Sequence, residues 1–173
     1  MLTLITGGSA SGKSEYAEQL MVSSRCEPKF YIATMQPFDA ECEARIAKHQ
    51  NARAQRGFIT IERYTSLAGV SLPSGSAVLL ECMSNLVANE LYSEAGARKN
   101  TVREILTGVK NLCESARAVF IVSNEIFSDG VQYDSETVQY IQTLGEINRE
   151  LARCADRVIE VVYTIPIFHK GEK

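Results

Sequence analysis

At 173 residues and 45% apolar composition the chain is long enough to bury a core of its own, and one domain spanning 1–173 is expected. The net charge of −3, with lysine, arginine, aspartate and glutamate spread along the chain, leaves no basic stripe for a nucleic-acid backbone, which excludes polymer-binding functions. No stretch approaches the roughly 20 apolar residues of a membrane span, and the five scattered cysteines lack a C-x-x-C pair, so a cytoplasmic protein with reduced, mostly buried thiols is expected rather than a disulfide framework or a zinc site.

The short apolar run 2–5 reads as a strand, and Gly7-Gly8-Ser9-Ala10-Ser11-Gly12-Lys13-Ser14 follows with the spacing G-x-x-x-x-G-K-[ST] of a phosphate-cradling loop. Glycines let the backbone curl with its N–H groups inward, Lys13 places a positive charge at the outer phosphates, and the Ser14 hydroxyl is suited to Mg²⁺. The loop is expected to open into a helix over 13–21 whose positive end faces the phosphates, with Tyr16, Ala17, Leu20 and Met21 as its buried stripe. A glycine-rich turn without a ligand would satisfy the bare pattern, but the strand before and the helix after favour a bound nucleoside triphosphate.

A second strand is expected over 30–33, ending at Thr34-Met35, and a helix over 39–56. On that helix Arg45, His49 and Arg53 are four residues apart and share one side. A neutral imidazole near a triphosphate can attack the α-phosphorus, and a solvated basic face explains the same spacing. Strands over 59–62 and 77–80 come next, the latter ending in Glu81. An apolar strand that ends in a carboxylate suits Mg²⁺ held through water, or a solvated acid at a strand end.

The spacing of Val102, Ile105, Leu106, Val109, Leu112, Cys113 and Ala116 predicts a helix over 101–117. A strand over 118–122 precedes Ser123-Asn124-Glu125, which either orients a substrate or caps the next turn. A helix over 135–155 and a strand over 158–162 complete the pattern, and His169 reads as an exposed tail residue. Alternating strands and helices predict an α/β fold with a mainly parallel sheet and helices on both faces, and with the phosphate loop after the first strand this resembles the RecA-like arrangement of P-loop NTPase-type folds. Ligands of such sheets sit at the carboxyl ends of the strands.

The phosphate loop followed by Ala17-Glu18, then Tyr31-Ile32-Ala33-Thr34, Arg45-Ile46-Ala47-Lys48-His49, Leu79-Leu80-Glu81-Cys82, Val122-Ser123-Asn124-Glu125 and Gly145-Glu146-Ile147-Asn148, resembles over essentially the whole chain the bifunctional adenosylcobinamide kinase/adenosylcobinamide-phosphate guanylyltransferase family. The resemblance implies a homo-oligomer, commonly a trimer, that phosphorylates adenosylcobinamide with a nucleoside triphosphate, ATP or GTP. It further implies transfer of GMP from GTP to the resulting phosphate through a GMP–histidine intermediate. His49 resembles the guanylylated histidine, with Lys13 as the other catalytic residue. Gly7 to Ser14, Ala33, Thr34, Met35, Gln50, Asn51, Ala52, Arg53, Glu62 and Glu81 resemble the nucleotide contacts, Ser14 and Glu81 those of the metal. Departures fall late: Asn124 to Gln132 lacks the proline of the family's N-E-V-G-x-G-I-V-P stretch, Gln139 to Thr143 replaces its arginines and aspartate, and Phe58 stands for its tryptophan.

Overall fold

Runs of β-branched, leucine and aromatic residues bounded by turn residues form the strands of the computed structural model, which describes residues 1–37, 56–128 and 130–172. Seven strands, β1 (Leu2–Thr6), β2 (Lys29–Ala33), β3 (Phe58–Glu62), β4 (Ala77–Leu80), β5 (Ala118–Val122), β6 (Arg157–Val162) and β7 (Ile165–Lys170), form one sheet among the described residues. Their spatial order is β3-β2-β4-β5-β1-β6-β7. Every neighbouring pair is parallel except the β6–β7 hairpin. Leu4 of β1 lies opposite Ile121 of β5 on one side and Val158 of β6 on the other.

Parallel strands need crossovers, and helices over both faces explain why β4 and β5 read as unbroken apolar runs, buried at every position. The side-chain period of two divides each strand between two cores. Leu2, Leu4, Val78, Leu80, Val119 and Ile121 pack with residues of α2 (Met83–Tyr92), α3 (Thr101–Ser115) and α4 (Ser135–Cys154). Ile5, Ala77, Leu79, Phe120 and Val122 face the other way, onto Ala17 and Met21 of α1 (Lys13–Ser23). In α3 the buried positions Ile105, Val109 and Leu112 recur at helical spacing, as Leu144, Ile147 and Leu151 do in α4. The carboxylate of Asp134 caps α4, accepting from the backbone N–H groups of Glu136 at 2.9 Å and Thr137 at 3.0 Å.

Two elements differ from the sequence expectation. Helix α2 begins three residues after β4 ends, so its apolar residues merge with those of the strand and no separate period stands out. Strand β7 contains Pro166, which argues against an interior strand but is tolerated at a sheet edge. His169 is therefore not a tail residue but part of β7, with Nε2 at 2.8 Å from a Glu160 carboxylate oxygen of β6. Helix α3 stops at Ser115, because Ala116 already has extended dihedrals. The helix expected over 39–56, with Cys42, Arg45, His49, Gln50, Asn51, Ala52 and Arg53, lies outside the described residues but for Arg56.

The thiols correct a further expectation. Of the four described cysteines only Cys26 is buried; Cys82 and Cys113 are half-buried and Cys154 is exposed, all four unbridged. Cys82 stands two residues after β4, at the start of α2, and Cys154 ends α4. Among the described residues no helix is long and apolar enough to cross a membrane.

Gly108 sits inside α3, where alanine would ordinarily favour the helix by about 1 kcal/mol. A Cβ there would lie 2.7 Å from the Leu67 Cβ and 2.9 Å from the Ala68 backbone nitrogen. Gly108→Ala is expected to destabilise the fold by about 1–3 kcal/mol, seen as a lower urea midpoint at unchanged slope; a raised midpoint would show that the helix can move away.

Candidate active site

Because β1, β2, β4, β5 and β6 run in parallel, their carboxyl ends lie along one edge of the sheet, and the segments after them converge there. The loop after β1 turns back on itself. The Gly8 carbonyl accepts from the Ser11 N–H at 3.3 Å and from the Lys13 ammonium at 3.0 Å, which holds the lysine over the curve of its own loop. From one flank the Glu125 N–H, just after β5, donates to the Gly7 carbonyl at 3.0 Å. From the other, the Thr164 N–H in the β6–β7 turn donates to the Ser11 carbonyl at 2.8 Å.

Gly12 closes the loop in the left-handed region, at φ 90°, and an added Cβ would stand 2.9 Å from the Thr164 methyl. Only glycine meets both conditions without strain. The first turn of α1 follows, with the Tyr16 N–H donating to the Gly12 carbonyl at 3.0 Å. Ser9 and Ala10 are exposed, whereas Ser11 is buried and its hydroxyl has no hydrogen-bond partner among the described residues.

Beside the loop, over the ends of β2, β4 and β5, lies a cavity of about 310 Å³. It gathers Lys13, Ser14, Ala33, Met35, Glu62 and Glu81, which are scattered over the sequence. Lys13 is 8% exposed, and burial lowers its pKa below the usual lysine value against an opposing pull from Cys82. The Cys82 thiol of the same cavity is pushed up, chiefly by burial, with backbone N–H donation from Asn85 acting against it. Burial thus favours the neutral form of the Cys82 thiol.

Thr34 stands apart from the other expected contacts. It is fully buried, its hydroxyl donates to the Cys82 carbonyl at 3.0 Å, and its carbonyl accepts from the Asn89 amide at 2.8 Å. Its side chain therefore ties β2 to α2 instead of lining the cavity. The alternatives for Ser123-Asn124-Glu125 divide between residues. Ser123 is buried and donates to the Asn148 side chain at 2.8 Å, Asn124 lines the cavity, and the Glu125 carboxylate caps the next turn through Phe127 N–H at 3.0 Å and Ser128 hydroxyl at 2.9 Å.

Sequence reasoning missed Tyr64, Asn85 and Thr164. Tyr64 lines the cavity and its hydroxyl donates to the Glu62 carboxylate at 2.9 Å; its phenol pKa is raised, first by burial and then by that carboxylate. The two-residue step from Glu62, which puts both on one face of an extended chain, was an available signal. Asn85 belongs to the unforeseen α2, and Thr164 to the unforeseen hairpin.

The family model for cobinamide kinase / cobinamide phosphate guanyltransferase matches residues 3–168. The chain is similar to the bifunctional adenosylcobalamin biosynthesis protein CobU of Escherichia coli (strain K12), at 31% identity over 96% of this chain and 98% of that protein. It is also similar to the bifunctional adenosylcobalamin biosynthesis protein CobP of Pseudomonas aeruginosa, at 32% identity over 99% of each. Among solved structures it resembles a KaiC-like protein of Pyrococcus horikoshii OT3, with a TM-score of 0.52 and 14% identity over 92% of this chain and 71% of that one. That likeness is one of fold, the RecA-like P-loop NTPase arrangement of a mainly parallel sheet between helices.

Gly12→Ala is expected to push the loop off the Thr164 methyl and to abolish measurable triphosphate binding in calorimetric titration with GTP, while the far-ultraviolet circular dichroism stays native. Wild-type affinity in this variant would show that the loop does not hold the phosphates.

Proposed function

The chain belongs to the cobinamide kinase / cobinamide phosphate guanyltransferase family, and from that membership we propose that it carries out both reactions, phosphorylating adenosylcobinamide and then transferring GMP from GTP to the phosphate. The observation that carries this reading is the meeting of Lys13, Ser14 and Glu81 with Glu62 and Met35 in one cavity at the carboxyl edge of the sheet. The reading includes a single domain over 1–173 acting as a cytoplasmic homo-oligomer, with ATP or GTP as phosphoryl donor.

For phosphoryl transfer the protein mainly positions groups and offsets charge. The substrate hydroxyl oxygen bonds to the γ-phosphorus as its proton passes to water, the bond from the γ-phosphorus to the β–γ bridging oxygen breaks, and the nucleoside diphosphate leaves with the electron pair. Lys13, held beside the Gly8 carbonyl, would turn its ammonium to the outer phosphates. Hydroxyl and carboxylate oxygens are the donors that Mg²⁺ prefers, and Ser14 and Glu81 supply one of each to the same cavity. Bound there, Mg²⁺ would offset the charge of the outer phosphates.

For guanylyl transfer, an imidazole nitrogen of His49 bonds to the α-phosphorus of GTP while the bond to the bridging oxygen breaks and pyrophosphate leaves. A phosphate oxygen of the substrate then displaces the imidazole, and the histidine returns unchanged. Support for this role is the Arg45-Ile46-Ala47-Lys48-His49 sequence together with the family membership. Gln50, Asn51, Ala52 and Arg53 are read with it as nucleotide contacts, Glu62 as a contact from the cavity side.

GTP labelled on the α-phosphate should leave acid-labile, alkali-stable label on the wild-type protein and none on His49→Ala; equal labelling of the variant rejects the histidine. Lys13→Ala should lower the kinase kcat/KM by at least ~100-fold, and wild-type turnover would remove Lys13 from the mechanism. Because burial lowers the Lys13 pKa, its charge is lost earlier as pH rises than for an ordinary lysine. Triphosphate affinity should therefore fall on the alkaline side, and Lys13→Arg should flatten that fall; an identical alkaline profile for the variant would assign the titration elsewhere.

A further inference from the structure

The two proposed reactions demand opposite things of one phosphate loop. In phosphoryl transfer the γ-phosphorus must face the acceptor, and in guanylyl transfer the α-phosphorus must. The cavity available to an acceptor lies over β2, β4 and β5, on one side of β1. A nucleotide whose outer phosphate points into that cavity must lead its nucleoside end away from it. On the opposite side of β1 lie β6 and β7, and their connecting turn touches the loop through Thr164.

This turn is unusual in its chemistry. Tyr163 and Thr164 have φ of 50° and 67°, left-handed values that a two-residue hairpin turn ordinarily assigns to asparagine and glycine. Each such residue costs on the order of 1 kcal/mol of strain, which persists only where surrounding structure holds it. Thr164 is held by its hydrogen bond to Ser11 and its contact at Gly12. Tyr163 is 86% exposed, the most exposed of the large apolar side chains among the described residues, and precedes Thr164, which touches the loop. Neither the cavity nor a core uses its ring.

We propose that the β6–β7 turn is a nucleobase subsite, with Tyr163 as the stacking platform for the base of the phosphoryl donor, on the flank opposite the Glu62 cavity that takes the guanylyl donor. The proposal rests on the two-reaction reading above. It gives each donor its own base position while both share Gly7 to Ser14. An aromatic ring stacks on any base, so this subsite takes purine nucleoside triphosphates with little selectivity.

The test uses the full chain with Tyr163→Asn, which removes the ring but suits the left-handed turn, and Tyr163→Phe, which keeps the ring. For Tyr163→Asn the KM for ATP in phosphorylation of cobinamide should rise about tenfold, the scale of one lost base–aromatic stack, with kcat little changed. The KM for GTP in protein labelling should move by less than about twofold, and Tyr163→Phe should match wild type in both assays. Equal rises in both KM values, or no rise in either, would overturn the subsite. Titration with a non-hydrolysable ATP analogue separates this from failure of the kinase reading: weaker binding to Tyr163→Asn alone supports the stack even if wild type transfers no phosphate, and equal binding rejects it.

Discussion

The backbone of one short loop is the constraint on which the rest of this structure depends. To hold phosphates, the segment from Gly7 to Gly12 must keep its carbonyl groups occupied elsewhere so that its N–H groups remain available. One local and two distant pieces of chain do this: Lys13 and the Ser11 N–H at the Gly8 carbonyl, Glu125 at the Gly7 carbonyl, and Thr164 at the Ser11 carbonyl. The last two come from the segments that follow β5 and β6, the strands paired with β1 on either side. The loop is therefore built by its neighbours as much as by its own glycines.

That support requires the sheet register to be right. A slip by one residue would exchange the two cores, sending Leu4, Leu80 and Ile121 to the side of Ala17 and Met21. It would also carry Glu125 and Thr164 out of reach of the loop. Packing on both faces and hydrogen bonding at the carboxyl edge thus select the same alignment, the consistency across levels that favours one fold over its competitors.

Polar groups around the cavity divide between ligand-facing and structural duties. Thr34 and Ser123 are buried and spend their hydroxyls on holding α2 and α4 to the strand ends, while Lys13, Glu62, Glu81 and Asn124 stay at the cavity surface. Buried hydroxyls cost stability unless bonded, so their location decides which role each can take. The hairpin turn carries the opposite signature, a large aromatic side chain left in solvent on a strained backbone.

How much of this was legible beforehand follows from the range of each interaction. Local spacing alone determined the phosphate loop, the helix after it, the amphipathic helices α3 and α4 and six of the seven described strands, because periodicity and turn chemistry act within a few residues. It also drew attention to Lys13, Ser14 and Glu81, whereas Glu62 came only from the family resemblance. Strand order, the division of duties among Ser123, Asn124 and Glu125, the withdrawal of Thr34 from the cavity, and the docking of the β6–β7 turn on Ser11 and Gly12 were decided only by the tertiary structure. Each depends on contact between residues dozens of positions apart, whose partners no local pattern can specify.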